Sequence, residues 1–323
     1  MMCNPHLPLE IILHILETSF PSGRPNCIND VSTPDVQQLV AWARVCRATY
    51  GPATIFLRKH CVHLNTVPRL EAFLKCLTFP KTPHEAHPSS LPKAMPLSEA
   101  SSIYIGLDLK AIQSARTSAL IRDVLLSLGG SVCRLIVDLP YRRIAQEYSI
   151  DAHINMMFSR GLEALSNLEE FVTLGGLPAL EFWRNDLDIR QMWPRLRCLA
   201  GFSVNLAGES LWHNVARHRT LEHLVIARPY LFRLDKWNIK RSIGGQEWDS
   251  DAGGDSTCAR PLKIVIADHQ FSSPIIDTQD EHIYDPFGLI DVSSFEVPVD
   301  GKRVDHICRE WLINKAKQGT LWE

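Results

Sequence analysis

Metal-binding residue types occur together in one short segment, which contains His84, Glu85 and His87. The zinc-binding pattern His-Glu-x-x-His needs its two histidines four residues apart on one helix face, with the glutamate as general base. Here the histidines are three residues apart and lie between Pro83 and Pro88, which oppose a regular helix. The segment is therefore expected to be solvated rather than to form a metal centre.

A second group of possible metal ligands lies upstream and consists of Cys46, His60, Cys61 and His63. Their spacing matches no zinc module. Cys46 is instead expected to pack as a small apolar residue within a helix, as free cysteines often do. We therefore predict neither a metal site nor a cofactor.

Residues that could catalyse a reaction are sparse. The sequence contains no nucleophile elbow, no phosphate-binding loop and no dinucleotide-binding glycine pattern. Asp138, Asp268 and His269 follow apolar runs, at the strand ends where ligands often bind in α/β folds. Without a nucleophile they support no reaction, and we interpret them as exposed polar residues. We therefore predict that the protein is not an enzyme. An α/β enzyme with an unrecognised site is the alternative, and it ranks behind the two non-enzymatic interpretations given below.

Four tryptophans of the C-terminal half are a further candidate feature: Trp183, Trp193, Trp212 and Trp237. Tryptophan is enriched where proteins bind each other, but it also fills cores. We favour packing roles for these four residues.

Composition excludes several classes of protein. The chain has 323 residues, a net charge of −2, 45% hydrophobic and 22% charged residues, which is ordinary for a globular protein of about two domains. The near balance of charges gives no reason to expect nucleic acid or an anionic membrane as a partner. No apolar run approaches the ~18 residues of a membrane span.

Nine scattered cysteines, an odd number with no C-x-x-C pair, fit reduced thiols better than a disulfide framework. The N-terminal apolar stretch contains Glu10 and His14 and does not resemble a signal peptide. These features predict a cytoplasmic or nuclear location.

The first eighty residues have helical periodicity. Apolar spacing and proline positions predict helices over 7–20, 34–50 and 52–60 and another that begins near Val67. Residues 80–98 contain five prolines, so we predict a linker there. This divides the chain into an N-terminal helical module (1–79) and a second domain (99–323).

Beyond the linker, strand-like runs alternate with amphipathic segments. The runs are 102–109, 133–139, 168–174, 196–204, 221–227, 262–268 and 293–299, and a last helix is predicted at 303–318. Irregular strand-plus-helix units favour an α/β solenoid similar to leucine-rich repeats, with neighbouring parallel strands in chain order. A doubly wound sheet is the alternative. Residues 242–259 are poor in large apolar side chains, and we predict a mobile loop there.

The N-terminal segment resembles the F-box-like modules that are common in large fungal protein families. The matching residues are Leu7-Pro8-Leu9-Glu10-Ile11-Ile12 with Ile15-Leu16, then Ala43-Arg44-Val45-Cys46-Arg47 with Tyr50, and Pro52-Ala53 before Phe56-Leu57. The resemblance covers about residues 7 to 64. The loop at 21–33 is longer than in a compact F-box.

The resemblance implies a substrate receptor of a Skp–cullin–F-box ubiquitin ligase. The adaptor-binding residues would be Leu7, Pro8, Ile11, Ile12, Ile15, Leu16, Val45, Cys46 and Arg47. The Skp-type adaptor would connect the protein to a cullin, while the repeat domain would hold a target protein whose identity the sequence does not encode. Two alternatives remain: the helices form only a cap on the repeats, or the protein is a repeat scaffold without adaptor binding.

Overall fold

The computed structural model describes residues 8–19, 27–78, 100–140, 151–176, 192–230, 237–247, 260–269 and 281–323. The helices are α1 (Leu9–Ser19), α2 (Pro34–Val45), α3 (Arg47–His60), α4 (Val67–Thr78), α5 (Leu109–Ile112), α6 (Ala115–Leu128), α7 (Asp151–Glu163), α8 (Glu209–Arg217), α9 (Ile239–Glu247), α10 (Glu281–Tyr284) and α11 (Val304–Gln318). The strands are β1 (His63–Leu64), β2 (Ser102–Gly106), β3 (Arg134–Asp138), β4 (Glu170–Thr173), β5 (Cys198–Phe202), β6 (His223–Ala227), β7 (Leu262–Asp268) and β8 (Ile290–Glu296).

The eight strands form one parallel sheet in which the spatial order β1 to β8 is the chain order. The predicted sequential order is therefore confirmed, and the reversed strand order of a doubly wound sheet is excluded. Each of the seven predicted runs contains or overlaps a strand, and β1 adds an eighth. The protein is thus a mixed α/β fold built on a parallel sheet.

The first face of the sheet is covered by helices. One register row of this face consists entirely of apolar residues: Ile103, Leu135, Phe171, Leu199, Leu224, Ile264 and Val292. Side chains from α6, α7 and α8 pack against this row and form the larger core. Because helices cover one face of a parallel sheet, every strand must present apolar residues there.

Helix α11 covers much of the second face. Ile307, Cys308, Leu312 and Ala316 are buried against sheet residues that include Ile136, Val172, Ala200, Val225 and Ala267. Small side chains on the middle strands let the helix lie close to the sheet. Gly319, with a φ of 73°, ends the helix in the left-handed conformation that favours glycine. The helix itself was predicted at 303–318, but its position over the sheet was not.

The predicted division at 80–98 does not separate two cores. Strand β1 precedes that segment and pairs with β2, which follows it. Leu64 and Leu70 are buried in the same cluster as Ile103. Strand β1 and helix α4 therefore belong to the sheet domain, although we expected them in the N-terminal module. The linker lies outside the described residues.

Helices α1, α2 and α3 form a small core of their own, built from Leu16, Val36, Leu39, Ala53 and Cys61. The break between α2 and α3 falls at Cys46, whose φ of −159° is extended. We expected the break at Gly51-Pro52, but Pro52 lies inside α3. The Thr49 hydroxyl sets the break, because it donates to the Trp42 carbonyl and accepts from the Cys46 amide.

The predicted mobile loop at 242–259 is wrong in its first part. Residues 242–247 belong to α9, and Ile239 and Ile243, four residues apart, are 1% and 3% exposed. This pair forms an apolar stripe that outweighs the two glycines of the segment. Residues 248–259 lie outside the described residues. Among the helices that are described, none is long and apolar enough to cross a membrane.

Candidate functional site

Exposed apolar side chains concentrate in two stretches of the described chain. Four large ones, Ile11, Ile15, Val45 and Ile55, belong to α1–α3, and another four, Ile283, Phe287, Phe295 and Val299, lie in and around α10 and β8. Elsewhere in the described residues only Leu126 and Met156 are comparably exposed. These two groups mark the surfaces on which a partner would bury apolar area.

Three residues of the first group were predicted to bind the adaptor, and together with the exposed Pro8 we call them the helical surface: Pro8, Ile11, Ile15 and Val45. Ile11 and Ile15 are four residues apart on α1 and therefore lie on one helix face; they are 45% and 37% exposed. Val45, at the end of α2, is 63% exposed. Pro8 is exposed and its carbonyl accepts hydrogen bonds from the amides of Ile11 and Ile12, which start the helix.

The predicted adaptor-binding residues fall into distinct environments. Pro8, Ile11, Ile15, Val45, Cys46 and Arg47 are exposed, and Ile12 is half-buried. Leu16 is the exception, because it is 0% exposed and lies in the core of the helices. It is therefore a packing residue and cannot contact a partner directly. Leu7 lies outside the described residues.

The joint between α2 and α3 places two predicted residues at the surface. Cys46 occupies the N-cap position of α3, and Arg47 is the first residue of that helix. The side-chain hydrogen bond between Thr49 and Cys46 lowers the pKa of the exposed Cys46 thiol, and the hydrogen bond from the Thr49 amide lowers it further. The expectation that Cys46 packs as a buried apolar residue is wrong.

Ion pairs and hydrogen bonds hold α11 on the sheet. Near its start, Arg228 bridges Asp268 at 3.0 Å and Asp305 at 2.8 Å. Near its middle, Arg309 pairs with Asp138, which also accepts a hydrogen bond from the Tyr104 hydroxyl at 3.1 Å. The strand-end residues Asp138 and Asp268 are thus bound to other side chains, and Asp268 is 2% exposed rather than solvent-facing as expected.

The C-terminal end of the chain is held in the same way. The Trp322 indole donates to Glu170 at 2.9 Å, and Glu170 also pairs with the buried Arg134 at 2.9 Å. Arg134 in turn donates to the carbonyl of Ala316. A buried guanidinium needs such partners, because an unpaired buried charge is costly. Over β2 to β4, the second face of the sheet is therefore covered by α11 and by the residues that follow it.

A cluster around the buried His63 joins the last turn of α11 to β1, to β2 and to the segment that precedes α2. His63 Nε2 lies 3.2 Å from Asp30 Oδ2 and 2.9 Å from Lys317 Nζ, and its ring stacks on Tyr104. Burial and the nearby Lys317 charge lower the pKa of His63 to about 4. Burial also lowers the pKa of Lys317. His63 is therefore neutral near pH 7 and accepts the hydrogen bond from Lys317.

One part of the second face remains open, beside Trp322 at the beginnings of β5 to β8. It is a cleft of ≈ 920 Å³ whose lining includes Arg195, Arg219, His223, Lys263 and Asp291. Arg197 and Glu222, at its rim, form a two-pronged ion pair with distances of 3.0 and 2.6 Å. Its charges are of both signs, so the cleft does not define one ligand.

The second exposed group lies in α10, in β8 and next to them in the chain, and together with the outer edge of β8 we call it the edge surface: Ile283, Phe287, Phe295, Val299 and the outer edge of β8. Strand β8 pairs with β7 over seven residues without interruption. No described strand pairs with its other side. Phe295 is 41% exposed although its ring stacks on Trp311 at 5.1 Å.

Other sequence candidates have structural roles. Trp193 and Trp212 are each 1% exposed and donate to backbone carbonyls, so they pack as expected. Trp237 packs against Trp212 with ring centroids 5.8 Å apart, and Trp183 lies outside the described residues. Within the described chain, no group of three or more metal-ligating side chains comes together. His84, Glu85 and His87 are not among the described residues.

Comparisons of the chain with protein-family models, curated proteins and solved structures found no match.

Sequence reasoning missed the edge surface. The available signal was the run around Phe295, which contains Ser293 and Ser294. A strand that is buried on both faces would be almost entirely apolar, so these serines indicate an exposed strand.

Proposed function

We propose that this protein is a non-enzymatic substrate receptor of a Skp–cullin–F-box ubiquitin ligase. In this proposal the helical surface of α1–α3 binds the Skp-type adaptor, and the sheet domain, an irregular solenoid similar to leucine-rich repeats, binds a target protein. The resemblance of residues 7–64 to an F-box supplies the partner class. The sequential parallel sheet supports the solenoid interpretation, because stacked strand-helix units place neighbouring strands in chain order.

The observation that carries the proposal is the placement of the two exposed apolar groups. The helices with Ile11, Ile15 and Val45 come before β1, at one edge of the sheet, whereas Phe295 belongs to β8, at the other edge. Seven strand spacings separate the two edges, a path of about 34 Å along the sheet at ~4.8 Å each. A receptor needs two such separate surfaces, since it must hold two partners at once.

Co-purification with a Skp-type adaptor tests the proposal. The double variant Ile11→Glu, Ile15→Glu places two charges on the helical surface, where burial of two isoleucines would contribute about 1.5–3 kcal/mol each. We expect co-purification to fall at least tenfold, while the thermal unfolding curve stays close to that of the unmodified protein because both side chains are exposed.

Leu126→Glu is the matched control, since Leu126 is a 51% exposed apolar residue on α6. This variant should bind the adaptor normally. If the unmodified chain does not bind any Skp-type adaptor, or if the double variant binds as well as the control, the proposal is wrong. The scaffold alternative then remains, in which α1–α3 only cap the β1 edge of the sheet.

A further inference from the structure

Strand β8 ends the sheet, and no strand of the described residues pairs with its outer edge. Natural sheets protect their edges with charged side chains, lysine above all, or with proline, bulges or a covering element, because free backbone groups recruit other strands. The seven residues of β8, from Ile290 to Glu296, contain neither lysine nor proline. Their register with β7 is continuous, without a bulge. The first proline, Pro298, comes two residues after the strand ends.

The charged residues of β8 are both acidic, because the strand contains Asp291 and Glu296 but no lysine or arginine. Several acidic residues around the strand are paired with cations, since Lys240 binds Asp285 and Lys302 binds Asp300 and Glu310. Lys263 lies beside Asp291, but on β7 and therefore away from the outer edge of β8. The charge that remains on β8 itself is that of Asp291 and Glu296.

Both acidic residues of β8 are available to a partner. Asp291 is exposed and lies opposite Lys263 on β7, yet the two do not form an ion pair. The Glu296 carboxylate is 73% exposed, and its neighbour is His269 at 3.7 Å. These carboxylates point to a partner with positive charge at two positions.

We propose that the edge of β8 binds an extended, basic segment of the target protein as an added ninth strand. This inference rests on the proposed receptor function and names the chemistry of the target. Backbone hydrogen bonds to the strand edge would supply affinity, and pockets for alternate side chains would supply specificity. The exposed apolar residues around β8 are the area that the added strand and its flanks would bury.

The order of side chains on β8 defines the partner pattern. Basic residues would lie opposite Asp291 and Glu296, which are about 16 Å apart at ~3.3 Å per residue. Apolar residues would lie opposite Val292 and Phe295, where cross-strand pairs contribute to pairing. The pattern is basic-apolar-x-x-apolar-basic, and because it is symmetric, it fits a parallel or an antiparallel added strand.

A labelled peptide with the core Arg-Val-Thr-Thr-Val-Arg, flanked by Gly-Ser on both sides, tests this inference by fluorescence anisotropy with the full chain. We expect saturable binding. A peptide with glutamate in place of both arginines, and a peptide with proline in place of both central threonines, should each bind at least tenfold more weakly. Equal binding of the proline peptide would overturn strand addition, because it would show that charge alone attracts the peptide.

The protein variant Asp291→Lys, Glu296→Lys should bind the arginine peptide at least tenfold more weakly and the glutamate peptide more tightly. The gain in affinity for the glutamate peptide shows that the variant is folded, because an unfolded variant would bind both peptides more weakly. Glu209→Lys, a charge reversal at an exposed residue of α8, should leave both affinities unchanged. An unchanged preference in the double variant would overturn the inference.

Two further results separate this inference from its alternatives. Sedimentation should show a monomer, since a dimer that the double variant dissociates would mean that a second copy occupies the edge. The same variant should still co-purify with the Skp-type adaptor. If the unmodified chain binds the adaptor but does not bind the arginine peptide, only the edge inference is overturned, whereas peptide binding by an unmodified chain that does not bind the adaptor overturns only the receptor proposal.

Discussion

His63 shows how a buried ionisable residue connects pH to stability. Its side chain is 3% exposed and is surrounded by Asp30, Lys317 and the ring of Tyr104. In the unfolded chain His63 binds a proton near its ordinary pKa of 6.5, whereas in the folded protein it stays neutral until about pH 4. The unfolded state therefore binds more protons between these values, and the free energy of unfolding must decrease as the pH falls from 6.5 to 4.

We expect this residue to contribute up to about 3 kcal/mol to that decrease, at about 1.4 kcal/mol for each unit of pKa difference. Urea unfolding between pH 7 and 4 measures this contribution. The free energy of unfolding of His63→Gln should depend on pH clearly less steeply than that of the unmodified protein. Some dependence will persist, because burial also lowers the pKa of His60 and His223. His306→Gln, at an exposed position of α11, is the control. Equal slopes for both variants would contradict the buried, neutral state of His63.

Residue types alone did not reveal this cluster. In the sequence, His63 stands out only as a possible metal ligand near Cys46, His60 and Cys61. Its actual partners, Asp30 and Lys317, are distant in sequence and are brought together by α11. Leu16 illustrates the same limit, since the sequence marks it as apolar but cannot show which face of α1 is buried.

At the level of elements, strand positions could be predicted and the role of the last helix could not. Buried parallel strands are nearly continuous apolar runs, so seven of the eight strands were visible in the sequence; β1, with two residues, was too short. The second-face residues in the middle of these runs, such as Ile136, Val172 and Val225, are apolar as well. Their presence does not identify the element that covers them. The alanines of the middle strands, Ala200, Ala227 and Ala267, were the available signal, since small residues allow close helix packing.

Because α11 is a layer of the core, we expect core substitutions in it to be costly. Leu312 is 0% exposed and packs in the second core cluster. Leu312→Ala should lower the free energy of unfolding by about 2–5 kcal/mol, through lost burial and the cavity that remains. Asn314→Ala, at an exposed position of the same helix, should change it by less than about 0.5 kcal/mol. Urea unfolding measures both, and a small effect of Leu312→Ala would mean that α11 is not docked on the sheet.

At the scale of the whole molecule, the fold class and strand order followed from local patterns because each strand-helix unit packs against the next one in the chain. The domain division did not follow in the same way. The proline-rich segment at 80–98 changes the composition of the chain, but the core continues across it through β1 and α4. Composition indicates where the backbone cannot form regular structure, and it does not indicate where buried contacts end.

This continuity predicts the behaviour of a chain that is cut in the linker. A protease site inserted between Pro88 and Ser89 would divide the protein into an N-terminal and a C-terminal fragment. The fragments should remain together in size-exclusion chromatography under native conditions, because β1 pairs with β2 and because Leu64 and Leu70 are buried in the shared core. Contacts of Ile28 and Asp30 with Lys317 add a second connection. Denaturing concentrations of urea should release the fragments, which is the control for complete cleavage. If the fragments separate without denaturant, the N-terminal segment is an independent domain as the sequence suggested, and the continuous core described above is wrong.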